Sequence, residues 1–367
     1  MKIECIKEKL TKAVAQAERV TTKNPTLPIL GCILLEASKN NLTIKATNLD
    51  LGIEIHIPVK VIKDGKMALP GTVLNSFLST IQGDKNVIIE AAENNTAKIL
   101  AAKTSTTIKT LPVDDFPEIP KVSEENSFRI QSDELVRGLK SVWYSASVSS
   151  VKPELSSVFI HSDDDSLVFA ATDSFRLAEK KVRIKKTKPV ERILIPFKNI
   201  PEIIRTIDGA SSEILVCFTK NQISLSHDEV YLTSRVVDGV FPDYKQIIPN
   251  GNSTEVIALK QDLIQALKTA NIFSDKFNQI NIQSSPKSKT FLLKTSNSDV
   301  GESFNSVDST LTGEEVVVNF NYKYLSDCFQ SIDADSVSLS FNGLNKPLVI
   351  RGVGDKSFLY LVMPMNK

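Results

Sequence analysis

Three histidines (His56, His161, His227) and four cysteines (Cys5, Cys32, Cys217, Cys328) are the residues of this 367-residue chain best suited to metal or nucleophilic chemistry. Metal ligation needs such residues at short, regular spacings. Here the histidines are far apart, no CxxC pair occurs, and each histidine falls in a strand-like run. They read as core or surface histidines, and the cysteines as small core residues in a reducing compartment. The phosphate-cradling patterns GxxxxGK[ST] and GxGxxG and the nucleophile elbow GxSxG are absent. Asp163-Asp164-Asp165 has charge enough for a cation, but its place between two apolar runs makes it a solvated hairpin turn. No nucleophile, base and oxyanion donor can be assembled. No cofactor is expected, and the function has to be sought in binding.

Basic side chains are the first binding candidates. Lys9, Lys12, Arg19, Lys23, Arg137, Lys140, Lys152, Lys198, Arg205, Lys268 and Lys323 recur on expected helices and their loops, interspersed with Glu8, Glu18, Glu202 and Asp262. They are either ordinary solvated faces or, if the helices share one surface, phosphate contacts that read no bases. The run KKVRIKKTK at 180–188 is the densest basic stretch and reads as a surface connection or a nucleic-acid contact. The ending Tyr360-Leu361-Val362-Met363-Pro364-Met365 is apolar where chain ends usually fray. It is either a last core strand or the lip of an apolar groove, where Met gives adaptable contacts to peptides.

Composition sets the frame. Apolar residues are 41% and charged residues 24% of the chain, and net charge is +1, so bulk charge argues for neither nucleic acid nor membrane. No run reaches the length of a membrane span. The N-terminal stretch carries charges through its middle, unlike a signal peptide. A cytoplasmic protein of two or three domains is expected.

The elements that would hold these residues repeat. Thr47, Thr172 and Ser296 each end an alternating run in a Thr/Ser plus Asn/Asp step. Thr80-Ile81, Thr206-Ile207 and Ser331-Ile332 recur at the ends of expected helices, and Phe116-Pro117 and Phe241-Pro242 close two segments. Such echoes, in a constant order, mark a triplicated chain with domains at 1–124, 125–250 and 251–367. Helical spacing is expected over 3–20, 71–81, 132–146, about 201–207, 258–270 and 320–332, with Ser132 as an N-cap. Alternating runs between them read as antiparallel strands. Each copy is thus helix–strands–helix–strands, an α+β unit that buries sheets under two helices. A line of three such units leaves two open strand edges, which favours a closed oligomer.

The motifs TLPIL (26–30), ATDSFRLA (171–178), VDGVFPDY (237–244) and YLVMPM (360–365) closely resemble the bacterial DNA polymerase III beta-subunit family of sliding clamps, over the whole chain. The resemblance implies three tandem copies of a two-helix, two-sheet DNA-clamp domain, closing head to tail into a ring as a homodimer. The ring would encircle duplex DNA without reading sequence and tether the replicative polymerase. It would be non-catalytic and opened by a separate loader. Implied partners are the polymerase III alpha subunit, the clamp loader and other proteins with a clamp-binding peptide. By position, the peptide cleft would be lined by Leu155, Thr172, Phe175, Arg176, Leu177, Pro242, Gln246, Ile247, Pro347, Val362, Met363, Pro364 and Met365. DNA contacts would come from Lys23, Asn24, Lys152, Lys198 and Arg205. The ring joint would use Lys103, Thr106, Ile108, Ile272, Phe273, Asp299 and Glu302. Some relatives have Gly-His at Ser174-Phe175 and Arg at Gln246 and Asn24, so a more apolar cleft is expected here. Thr106 stands where some relatives have a larger apolar residue, so a weaker joint is expected. Two other readings stay open: a repeat scaffold that binds peptides but not DNA, and an enzyme with a site in a cleft between copies.

Overall fold

The computed structural model describes residues 1–23, 26–83, 85–101, 104–184, 190 and 192–365. The first third runs β1 (Lys2–Ile6), α1 (Lys7–Val20), β2 (Cys32–Ser38), β3 (Asn41–Thr47), β4 (Leu51–Pro58), β5 (Lys60–Lys63), β6 (Gly65–Pro70), α2 (Gly71–Thr80), β7 (Asn86–Ala92), β8 (Thr96–Ala101) and β9 (Thr104–Lys109). The second runs β10 (Ser127–Ile130), α3 (Ser132–Val142), β11 (Ser157–Asp163), β12 (Ser166–Thr172), β13 (Arg176–Arg183), β14 (Ile193–Pro196), α4 (Ile200–Ile207), β15 (Ile214–Phe218), β16 (Gln222–His227) and β17 (Val230–Arg235). The third runs β18 (Thr254–Leu259), α5 (Lys260–Ile272), β19 (Gln279–Ser285), β20 (Thr290–Asn297), β21 (Gly301–Ser306), β22 (Ser309–Gly313), β23 (Val316–Asn321), α6 (Tyr322–Asp327), β24 (Ser336–Phe341), β25 (Leu348–Gly352) and β26 (Phe358–Val362). None of the described helices is long and apolar enough to cross a membrane.

Three expected helices begin too early. Residues 3–6, 258–259 and 320–321 are strand, and the helices start at Lys7, Lys260 and Tyr322. Ile3 and Ile6 fit a helical period, but Ile3 and Cys5 also fit a strand period, and pairing of β1 with β5 and β7 decides for strand. Ser132 is the first residue of its helix, and its hydroxyl also reaches the other helix of the repeat. It donates to the carbonyl of Ile207, the last residue of α4. Lys7 Nζ donates likewise to Ile81 O just past α2, and Lys260 Nζ to Ile332 O at 2.7 Å. In all three repeats, then, the first residue of one helix donates to a carbonyl at or just past the end of the other. The two lysines add favourable charge at that negative helix end.

Among the described residues the strands form four antiparallel sheets, two in each of two compact units. The first unit comprises Met1–Asp133 and Lys198–Val236. It holds a five-stranded sheet, β5-β1-β7-β8-β9, and an eight-stranded sheet, β10-β15-β16-β17-β4-β3-β2-β6. The second unit comprises Glu134–Phe197 and Val237–Lys367. It holds a nine-stranded sheet, β14-β11-β12-β13-β26-β25-β24-β18-β22, and a four-stranded sheet, β21-β20-β19-β23. Each large sheet fuses layers of two consecutive repeats: β4 pairs with β17, and β13 with β26. That fusion is why the compact units cut through the middle repeat.

Cores follow from the alternation. In α1, Leu10, Ala13, Val14, Ala17 and Val20 form the buried face. In α3, Gly138 is demanded by packing: a Cβ there would lie 2.4 Å from the ring of Phe169 on β12. The Asp163-Asp164-Asp165 stretch is the hairpin turn between β11 and β12, with Asp164 at φ 51°. Asp163 accepts from Lys181 and Lys245, and the Lys181 hydrogen bond foremost holds its carboxyl below the usual range.

Candidate functional site

The seam between β13 and β26 is built on a side-chain-held turn. Thr172 Oγ1 donates to Arg176 O at 2.6 Å and accepts from Ser174 N, while Asp173 Oδ1 accepts from the amides of Phe175 and Arg176. These bonds hold Ser174 at φ 78° and leave Phe175 61% exposed. Arg176 turns the other way. Its guanidinium reaches Asp173 at 2.9 Å, Asp327 at 2.5 Å and the carbonyl of Tyr144 at 2.7 Å, and lies over the Tyr324 ring at 4.5 Å. With only 12% of that side chain exposed, the charge needs both carboxylates.

The C-terminal segment follows the same seam. Arg176 faces Val362 and Leu177 faces Leu361 across the ladder. Beyond β26, Met363 N donates to Phe175 O and Met365 N to Asn319 O, both at 2.8 Å. Met363, Pro364 and Met365 are thus pinned at both ends, yet only half-buried. The apolar floor is a cluster containing Phe159, Leu177, Leu194, Phe241, Tyr244, Val349 and Leu361. Tyr244 Oη donates to the buried Glu179 at 2.5 Å, and burial, then the Glu179 charge, pushes its phenol up. Phe241 and Tyr244 anchor the segment carrying Pro242, Gln246 and Ile247, all three exposed. Leu155, Thr172, Pro347 and Val362 are buried. Direct bonds therefore join Thr172, Phe175, Arg176, Leu177, Val362 and Met363, whereas Gln246 bonds its neighbour Asp243.

Sequence reasoning missed Tyr144, Glu179, Tyr324 and Asp327. Asp173, three residues before Arg176, was a usable signal; Asp327 lies 151 residues away and gave none.

The basic candidates sit elsewhere. In the first unit, Lys198 pairs with Asp50 at 2.5 Å, and Arg205 and Arg19 share Glu202 at 3.5 and 2.8 Å. Lys198 and Arg205 remain exposed, whereas Glu202, which two of these pairs share, is buried. Lys23 and Lys152 are exposed loop residues. Asn24 and Lys103 lie outside the described residues, as do residues 185–188 of the basic run. Thr106 and Ile108 are on β9 and Glu302 on β21, each strand the outermost of its sheet. Ile108 is a buried core residue, Thr106 half-buried, Asp299 and Glu302 exposed. Ile272, ending α5, is 66% exposed. A Cβ at Gly301 would lie 4.0 Å from the Phe273 ring.

Among the described residues, no group of three or more His, Cys, Asp or Glu could hold a metal ion. All four cysteines are buried, and burial pushes the Cys5 thiol up to about 12 and Cys32 to about 11.

Family models of the DNA polymerase III beta subunit match the chain in order: the N-terminal domain at residues 1–120, the central domain at 129–243 and the C-terminal domain at 245–366. The beta sliding clamp of Synechococcus elongatus is 27% identical over 374 residues, spanning 100% of this chain and 99% of its own. That of Synechocystis is 29% identical over 388 residues, with the same coverage. The crystal structure of the DNA polymerase sliding clamp from Bacillus subtilis superposes with a TM-score of 0.95 at 23% identity, over 100% of this chain and 99% of that one. The chain therefore belongs to the DNA polymerase III beta-subunit family, as a non-catalytic sliding clamp serving polymerase processivity.

Proposed function

We propose that two copies of this chain join head to tail into a ring around duplex DNA, and that the groove at the β13–β26 seam holds a peptide of each client protein. The observation that carries this reading is the set of sheet edges. Consecutive repeats fuse their layers through β4–β17 and β13–β26, and the strands in the corresponding places, β21 and β9, are left as outer edges. Open edges of this kind invite pairing with another chain, and a head-to-tail contact that closes gives a ring. Repeats bounded at 1–124, 125–250 and 251–367 are the units of that ring. Lys23, Asn24, Lys152, Lys198 and Arg205 would contact phosphates, with affinity falling as salt rises. Lys103, Thr106, Ile108, Ile272, Phe273, Asp299 and Glu302 would lie at the joint.

The clients are the polymerase III alpha subunit, the clamp loader and other proteins with an apolar clamp-binding peptide, in the cytoplasm. Phe175, Ile247 and the two tail methionines would supply contact area, and the methionines would adapt to different side chains. A polymerase held this way rebinds before it diffuses off, because tethering raises its effective concentration.

Light scattering combined with DNA retention tests the reading. A species of twice the chain mass that stays on circular plasmid after loading, and slides off once the plasmid is cut, is expected. A stable monomer, or equal retention on circles and linear DNA, would sink the ring. Retention of peptides without retention on circles would favour the scaffold reading instead.

A further inference from the structure

Two buried glutamates hold corresponding places in the first two repeats. Glu54 is the fourth residue of β4 and Glu179 the fourth of β13, 125 positions apart. Each stands on a seam strand and is nearly inaccessible, at 5% and 7% exposure. A carboxylate is costly to bury unless it is hydrogen-bonded. In both cases the donor comes from the segment that closes the repeat. Lys121 Nζ reaches Glu54 at 2.5 Å and lies over the Tyr231 ring at 3.9 Å, while Tyr231 Oη donates to Pro120 O. Tyr244 Oη reaches Glu179 at 2.5 Å and, among the described residues, is the one hydrogen-bond donor to that carboxylate.

The segment that carries Tyr244 is tied down by backbone bonds at its ends, Val237 N to Leu194 O and Ser253 N to Phe341 O. Between them its backbone bonds are local, Tyr244 N to Pro242 O and Ile248 N to Lys245 O. Side chains therefore place its middle. Phe241 stacks on Phe159 at 4.8 Å, a contact that sets height above the sheet more than position along it. Lys245 reaches Asp163 at 3.4 Å from an exposed position. The Tyr244–Glu179 bond is both buried and directional. Across the ladder Glu179 faces Ala170 and Leu359, both members of the apolar cluster. A lone polar pair in an apolar face specifies position, because a slip of the segment leaves the carboxylate bare.

We propose, taking the β13–β26 seam as the client groove, that Glu179 is a positioning residue of that groove. Through Tyr244 it sets where the segment 238–252 lies on the sheet, and so where exposed Pro242, Gln246 and Ile247 stand as groove wall. Glu54 does the same for the closing segment of the first repeat.

Paired substitutions separate position from stability. Glu179→Leu with Tyr244→Phe replaces both polar partners by apolar groups, which costs little folding free energy. The denaturant midpoint should stay at or above that of the parent chain, while client-peptide affinity falls about fivefold, the worth of one hydrogen bond. Tyr244→Phe alone leaves the carboxylate bare and should lower both midpoint and affinity. Glu179→Gln keeps an acceptor for the phenol and should bind within about twofold of the parent. Glu54→Leu with Lys121→Met makes the matched change at the first seam and should leave the peptide alone. A spin label on Gln246→Cys reads the segment without any peptide, since the native cysteines are all buried. The label should become more mobile with Glu179→Leu and Tyr244→Phe, and not with Glu179→Gln. Unchanged mobility overturns the anchor. Raised mobility with parental peptide affinity overturns its bearing on the groove. A parent chain that binds no client peptide overturns the groove reading, and the groove role of Glu179 with it, while the label still reports the anchor.

Discussion

The turn at Thr47–Leu51 and the turn at Thr172–Arg176 are one device used for two ends. In the first, Thr47 Oγ1 donates to Leu51 O at 2.7 Å and accepts from Leu49 N, and Asn48 Oδ1 accepts from Asp50 and Leu51. In the second, Thr172 and Asp173 make the same four contacts. Leu49 and Ser174 take nearly the same left-handed angle, 74° and 78°. Both turns then launch a strand that fuses two repeats. They differ in what they carry. Asp50 and buried Leu51 leave nothing apolar outside the first seam except Leu49. At the second, Phe175 is exposed and Arg176 is tied inward to Asp173 and Asp327. Because the backbone is held by the two residues before, the next positions are free to change without loss of the turn. If the second seam holds client peptides as proposed, a structural seam has become a binding groove by substitution of the residues the turn does not use.

The chain after the seam differs as well, and there the largest effect is expected. After Arg235, the last residue of β17, the chain runs on into a connector whose Val237 amide bonds Leu194, whereas Met363 and Met365, after β26, donate their amides to Phe175 and Asn319. Deleting residues 363–367 should weaken binding of an apolar client peptide at least about a hundredfold, about 2.7 kcal/mol, measured by fluorescence anisotropy. The dimer seen by light scattering should persist, since neither β9 nor β21 is touched. Loss of the dimer would make the tail structural and erase the contrast between the seams.

Much of this architecture could be read from residue order. The triplication rested on Thr47, Thr172 and the helix-ending pairs, which are local signals repeated at a constant interval. The third turn shows the limit of such reading. Ser296 and Asn297 look like their counterparts, yet here Asn297 pairs with Gly301 and the left-handed residue is that glycine, at φ 124°. One added residue changes the loop, and sequence similarity alone does not reveal the change. The helix starts were misjudged for a different reason: Ile3 and Ala258 satisfy both periods, and only strand partners far along the chain choose between them. At the β13–β26 seam, Phe175, Leu177 and the tail stand in motifs that are visible in the sequence. Tyr144, Tyr324 and Asp327 do not, because the charge of Arg176 finds them through folding rather than through spacing.

The two threonines let the shared device be separated from the acquired one. Thr47→Ala and Thr172→Ala each remove a buried hydroxyl that both donates and accepts, so each should cost about 1–3 kcal/mol of stability, read from denaturant unfolding. Only Thr172→Ala should also weaken the client peptide, because only its turn positions groove residues. Equal loss of peptide affinity in both variants would mean that stability, not local geometry, governs the groove.

The smallest change is the most specific. Phe175 is 61% exposed and none of its side-chain contacts holds the turn, which depends on its amide. Phe175→Ala should therefore leave stability within about 0.5 kcal/mol. An aromatic at a peptide interface is a frequent source of binding energy, so the same variant should weaken a client peptide roughly tenfold, about 1.4 kcal/mol. The matched change in the first turn, Asp50→Ala, should leave peptide affinity alone and release Lys198, its partner at 2.5 Å. If Phe175→Ala binds peptide as tightly as the parent chain, exposure at this position is incidental. The difference between the two turns would then lie wholly in the buried anchoring of Arg176.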